Sequence, residues 1–109
     1  MNQTSKYMFC IIVPVYNEED NMERLANELS AYIGNASVKT CVLFVNDGSK
    51  DQSLQKIVEV CRQYTHLYYI DFTENCGLSA AIKAGIDTAE SSYVGYIDAD
   101  LQTSPNDFE

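Results

Sequence analysis

The sequence predicts an open, doubly wound, mostly parallel α/β sheet, and three observations carry that prediction. Four short runs rich in β-branched and aromatic residues recur, at 7–15 (YMFCIIVPV), 40–46 (TCVLFVN), 66–72 (HLYYIDF) and 92–98 (SYVGYID). Their apolar residues are continuous rather than alternating, as in strands covered on both faces of a parallel sheet. The three segments between them carry apolar residues at helical spacing, so the order is β-α-β-α-β-α-β, and parallel neighbours then require right-handed crossovers.

Taken in order, the first strand runs into YNEED, where Asp20 or Asn21 can cap a helix whose face is Met22, Leu25, Leu29 and Ile33. The second strand ends at Asn46-Asp47-Gly48, a turn sequence, and Ser49 or Asp51 can cap the helix that carries Leu54, Ile57, Val58 and Cys61 on one side. After the third strand, Leu78, Ala81, Ile82 and Ile86 share a helical face. In such sheets ligands sit beyond the carboxyl ends of the strands. Those ends read YNEE, NDGSKD, TENCG and DADLQ, so the polar and acidic residues gather where a ligand is expected.

The 109 residues, 46% hydrophobic, suffice for one compact core and not for two domains. Sixteen acidic residues against seven basic give a net charge of −9, which leaves no cationic footprint for nucleic acid or anionic lipid. A phosphorylated ligand would need a metal ion, backbone amides or helix N-termini for its positive counterpart. Cys10, Cys41, Cys61 and Cys76 form no C-x-x-C pair and read as buried small apolar residues in a reducing, cytoplasmic setting. The run 8–13 follows a single lysine and lacks a cleavage site, so neither a signal peptide nor a membrane span is expected.

The stretch IDADLQTSPNDFE has two readings. Counted from Asp98, the residues Asp98, Asp100, Gln102, Ser104 and Glu109 match the ligand spacing of an EF-hand calcium loop. That loop needs glycine where Thr103 stands, and SYVGYI is a poor entering helix. On a strand, by contrast, Asp98 and Asp100 point to the same side, and two adjacent carboxylates resist joint ionisation without a cation between them. Hard oxygen ligands favour Mg²⁺ or Mn²⁺. Alone, the pair also reads as ordinary turn acids at a strand end.

Four stretches in order, IIVPVYNEED, VNDGSKDQS, ENCGLSAAIKAGI and YVGYIDADLQTSP, resemble the family 2 inverting glycosyltransferases, and most of all the branch of dolichyl-phosphate mannose synthases and polyprenyl-phosphate sugar transferases. The resemblance covers residues 9 to about 106. It implies the Rossmann-like nucleotide half of the A-type glycosyltransferase fold, strand order 3-2-1-4, with residues 1–109 forming a single sugar-nucleotide-binding domain. Pro14 and Tyr16 would line the nucleoside pocket, Glu18 would stand near the nucleotide, and Asp47 would accept a ring N–H of uracil or guanine. Asp98, Asp100 and Gln102 would be the metal and diphosphate residues, with Mg²⁺ or Mn²⁺ as cofactor and Asp98 also counted among the nucleotide-sugar contacts; Lys83 could reach a phosphate. The implied partners are a UDP- or GDP-sugar and an acceptor, polyprenyl phosphate or another glycan, the full-length parent lying at the cytoplasmic membrane face.

Two departures from the family pattern stand out: Asn46 where many relatives have an acid, and Glu74 where a basic residue is common. Complete members are much longer, so the chain is expected to bind nucleotide with little transfer, and to self-associate as a homo-oligomer through uncovered apolar surface. Two other classes stay open. A phospho-acceptor receiver domain also clusters acids at strand ends, and a folded remnant could act only by self-association. A nicotinamide-binding domain would want G-x-G-x-x-G after the first strand, which is absent.

Overall fold

The computed structural model describes residues 3–97. A single 3₁₀ turn, Gln3–Lys6, precedes β1 (Phe9–Val15), α1 (Met22–Asn35), β2 (Thr40–Asp47), α2 (Ser53–Gln63), β3 (Leu67–Phe72), α3 (Leu78–Thr88) and β4 (Tyr93–Tyr96). The four strands form one sheet in the order β3-β2-β1-β4, and every pairing is parallel. Fold class and strand order are therefore those the sequence predicts.

Strand alternation sorts the core into two layers. On one face Ile11, Val13, Val15, Val42 and Phe44 pack with Met22, Leu25 and Leu29 of α1 and Ile57 and Val60 of α2. On the other, Cys10, Ile12, Cys41, Leu43 and Val45 meet Ala81 of α3. β1 and β2 are buried almost throughout because helices cover them from both sides.

Pro14 sits within β1 opposite Val45 without breaking that pairing. Ile12 accepts the N–H of Ile97 on the β4 side, and Pro14, two residues on, turns its missing N–H to that same side, beyond the last β4 rung at Tyr96.

The edges depart from the sequence reading. β3 alternates, with Leu67 buried and Tyr69 and Asp71 exposed, and Tyr93 of β4 is 67% exposed. A continuous apolar run therefore did not mean cover on both faces for these outer strands. On α3 the sheet-facing stripe is Ala81 and Gly85, whereas Leu78 and Ile86 are exposed. The cause is close approach: a Cβ at Gly85 would stand 2.6 Å from Ile12 Cγ2, so no larger residue fits against the sheet there.

The helix starts are also re-dealt. Asn21 and Gln52 occupy the N-cap positions of α1 and α2 without a side-chain capping bond. Asp51, one residue earlier, accepts the Ser53 N–H at 2.9 Å and so does satisfy a first-turn donor of α2. Cys10 and Cys41 are buried and Cys61 half-buried, where burial pushes its thiol up to about 12. Cys76 is exposed, against expectation, because it falls in the β3–α3 loop rather than in the core. Among the described residues no helix is long and apolar enough to cross a membrane.

Candidate functional site at the carboxyl edge of the sheet

Parallel pairing brings the carboxyl ends of β1, β2 and β3 to one edge, where their loops are tied together by side chains. Asn17, in the left-handed region at φ 54°, donates its N–H to Ser49 Oγ at 3.0 Å and accepts the Lys50 N–H on its Oδ1 at 2.8 Å. The Glu18 N–H reaches Ser53 Oγ at 2.7 Å, and the Glu19 N–H reaches Asp51 Oδ2 at 3.3 Å. Burial alone would raise the Asp51 carboxyl, but the hydroxyl and N–H of Ser53 and the N–H of Glu19 outweigh it and hold the group below its usual range.

Asp47 ties in the third loop. Only 4% exposed, it accepts the Cys76 N–H on Oδ1 at 2.7 Å, and the Gly77 N–H and Asn75 Nδ2 on Oδ2 at 3.1 Å each. Asn75 Nδ2 also reaches the Asp47 carbonyl at 3.1 Å. Two of those donors immediately precede α3, so the carboxylate is tied to the loop that enters the positive end of that helix. Gly48 follows at φ +67°, and a Cβ there would meet the Glu74 carbonyl carbon at 2.2 Å and the Asn75 nitrogen at 2.3 Å. Glycine is required twice over, for its backbone angle and for the passing peptide.

The other expected residues are placed as follows. Tyr16 is exposed at the rim, and Pro14 is buried in the strand below it. Glu18 accepts Asn21 Nδ2 on Oε1 at 2.9 Å, so its carboxylate is held against the start of α1. Lys83 lies on the exposed side of α3, paired with Asp87 at 2.8 Å one turn farther from the edge, and that partner raises its pKa. Asp98, Asp100 and Gln102 lie outside the described residues, and with them the expected metal set. The described chain reaches Ile97, whose N–H bonds to Ile12.

Asn17, Ser53, Asn75 and Gly77 were not among the sequence's candidates, and Ser49 and Asp51 entered only as helix caps, although all six set the loops. The signal for the first four was only the clustering of Asn, Ser, Asp and Gly after each strand. Asn46 proves informative as well. Buried to 2% exposure, it donates Nδ2 to Asp71 Oδ1 at 2.7 Å, while its own Oδ1 has no partner among the described residues. An acid here would face the Asp71 carboxylate directly, so the amide at this position matches its neighbour.

A parallel sheet with a laced polar rim at its carboxyl edge defines an open α/β ligand-binding domain of the doubly wound class. More narrowly, the chain belongs to glycosyl transferase family 2, whose family model matches residues 10–109. The uncharacterized glycosyltransferase YkcC of Bacillus subtilis is 39% identical over 97 residues, 89% of this chain and 30% of that protein. The undecaprenyl-phosphate 4-deoxy-4-formamido-L-arabinose transferase of Aeromonas hydrophila is 33% identical over 108 residues, 98% of this chain and 33% of that one. Among solved structures, S. aureus TarS in complex with UDP superposes with a TM-score of 0.72 at 32% identity, covering 84% of this chain and 27% of that one. The mannosyltransferase PcManGT of Pyrobaculum calidifontis, in complex with GDP-Man and Mn²⁺, gives 0.73 at 23% identity over 86% and 28%, a likeness of fold alone. The chain thus spans about a third of the length of the relatives it matches.

Proposed function

We propose that these residues form the part of a glycosyltransferase that binds a nucleoside-diphosphate sugar, UDP- or GDP-linked, and that the whole enzyme transfers the sugar to polyprenyl phosphate. The carrying observation is the state of Asp47. A carboxylate offers about four lone-pair positions. Three are taken by Cys76, Gly77 and Asn75, two of them on Oδ2, so one on Oδ1 is left for a further donor. Uracil and guanine carry a ring N–H that can fill it; adenine lacks one at the equivalent edge.

In this reading the exposed Tyr16 flanks the nucleoside at the rim, with Pro14 in the strand before it, and Glu18 stiffens the loop that follows. Asp98, Asp100 and Gln102 would hold Mg²⁺ or Mn²⁺, which supplies charge neutralisation on the departing diphosphate. Lys83 would have to exchange Asp87 for a phosphate, so its substitution should change affinity less than that of Asp47. Polyprenyl phosphate fits as acceptor because a phosphate monoester is already anionic near neutral pH and needs no protein base to become a nucleophile. The transferases of Aeromonas hydrophila and of other relatives named for dolichyl or polyprenyl phosphates support that choice.

Calorimetry with UDP, GDP and ADP, each with Mn²⁺ and with a chelator, tests the assignment. UDP or GDP should bind in metal and ADP more weakly. Equal binding of all three, or indifference to chelation, would overturn it.

A further inference from the structure

The net charge of −9 conceals a local reversal at the opposite, amino-terminal end of the sheet. Three of the chain's seven lysines and arginines, Lys6, Lys39 and Arg62, gather there with His66, its only histidine. A cavity of about 340 Å³ is lined by Lys6, Tyr7, Arg62, Tyr64, His66 and Tyr68 among others. Arg62 stands in the last turn of α2, where it offsets the negative end of that helix. The ammonium groups of Lys6 and Lys39 lie 5.4 and 5.6 Å from the centre of the Tyr7 ring.

Inside the cluster the hydrogen bonding is built. The buried Tyr7 hydroxyl lies 2.6 Å from His66 Nδ1 and 2.9 Å from the Tyr68 hydroxyl, with the Tyr7 and His66 rings edge to face at 5.4 Å. Burial and then the bond to Tyr68 push the Tyr7 phenol well above its ordinary range, so it keeps its proton. In the arrangement in which Tyr68 donates to Tyr7 and Tyr7 donates to Nδ1, the neutral imidazole carries its proton on Nε2, and that nitrogen would serve a ligand. His66 is held for this in the left-handed region at φ 72°, an uncommon conformation for a residue with a Cβ, while its carbonyl accepts the Val42 N–H.

We propose that this cavity is an anion site for a phosphate group, bound by the Lys6 ammonium, the Arg62 guanidinium fork and the His66 Nε2–H, with Tyr7 as the residue that orients the histidine. A forked guanidinium beside an ammonium suits a tetrahedral oxyanion. The phosphate can be free or the head of a lipid, since a larger and mainly apolar groove of about 720 Å³ along β3 shares Cys61, Arg62, Leu67 and Tyr68 with the cavity and could take an attached chain.

The test is titration of the 109-residue chain with inorganic phosphate at constant ionic strength, followed by the NMR shifts of His66 and Tyr7. In parallel, co-sedimentation is measured with phosphatidylcholine vesicles with and without phosphatidic acid. Saturable shifts, weakened roughly tenfold or more in Lys6→Ala/Arg62→Ala through loss of two charge-assisted contacts, support the site with a free anion. Co-sedimentation only with phosphatidic acid, lost in the same variant, supports it with a lipid head. Both side chains are exposed, so the variant should fold, and a thermal-unfolding midpoint close to the parent's serves as the control. Absence of both signals, or either one unchanged in the variant, overturns the proposal.

Discussion

Asp47 shows how one side chain can hold a loop and still keep a lone pair for a further donor. It is nearly buried, yet its charge is matched by three donors from a loop almost thirty residues away in sequence. Asp47→Ala leaves the Cys76 and Gly77 N–H groups without an acceptor, and the Asn75 amide with only the carbonyl of residue 47. Each hydrogen bond to a charged group is worth about 1.5–3 kcal/mol, so a loss of several kcal/mol in urea unfolding is expected. Nucleotide binding should fall with it. Asp47→Asn separates the two roles, because an amide oxygen still accepts loop N–H groups; it should regain part of the stability while keeping the binding defect. If Asn restored both, Asp47 would be a loop residue only.

At the scale of elements, α2 begins on a carboxylate and α3 is held to the sheet by a close contact at Gly85. Asp51 has a depressed folded pKa, so its contribution is present above the unfolded value and lost as pH falls through the folded one. Asp51→Asn should therefore be less stable than the parent at neutral pH, and the gap should close as pH drops below about 4. Urea midpoints across that interval check it, and a gap that widens on acidification would contradict the account. On α3, Gly85→Val places a branched side chain against Ile12, where even a Cβ is too close. Overpacking of this kind costs about 1–3 kcal/mol and should appear as a lowered thermal midpoint. Ala84→Val, on the half-buried neighbouring position, should lower it less.

At the scale of the molecule, two fully covered central strands are flanked by edges that are not. Tyr93 and Tyr96 of β4, with Leu78 and Ile86 of α3, present exposed apolar surface of the kind that promotes association. Self-association of the 109-residue chain is accordingly expected, opposed by the like charge of −9 and so strengthened by salt, which screens that repulsion. Sedimentation velocity at low and high ionic strength measures it. Tyr96→Lys, a charge at the edge strand, should shift the chain toward monomer. A monomer at every concentration and salt would remove the expectation.

The sequence by itself determined the alternation of strands and helices, and the parallel pairing follows from it. The apolar run 40–46 is a strand buried along its whole length, and Met22, Leu25 and Leu29 leave a helix one face to bury. It also gathered the polar residues at one edge, since the segments after each strand end together when the strands are parallel. The pattern could not say which strands are outermost, and so Leu67–Phe72 read as doubly covered although it is an edge. Nor could it show that Gly85 and Ala81, rather than Leu78 and Ile86, turn to the sheet, because that depends on the distance of α3 from Ile12. Only the tertiary structure joined Asp47 to the loop at 75–77, and Tyr7 to His66 and Tyr68 across some sixty residues. Periodicity records which side of an element is buried; what that side meets is decided by packing between segments that the sequence keeps far apart.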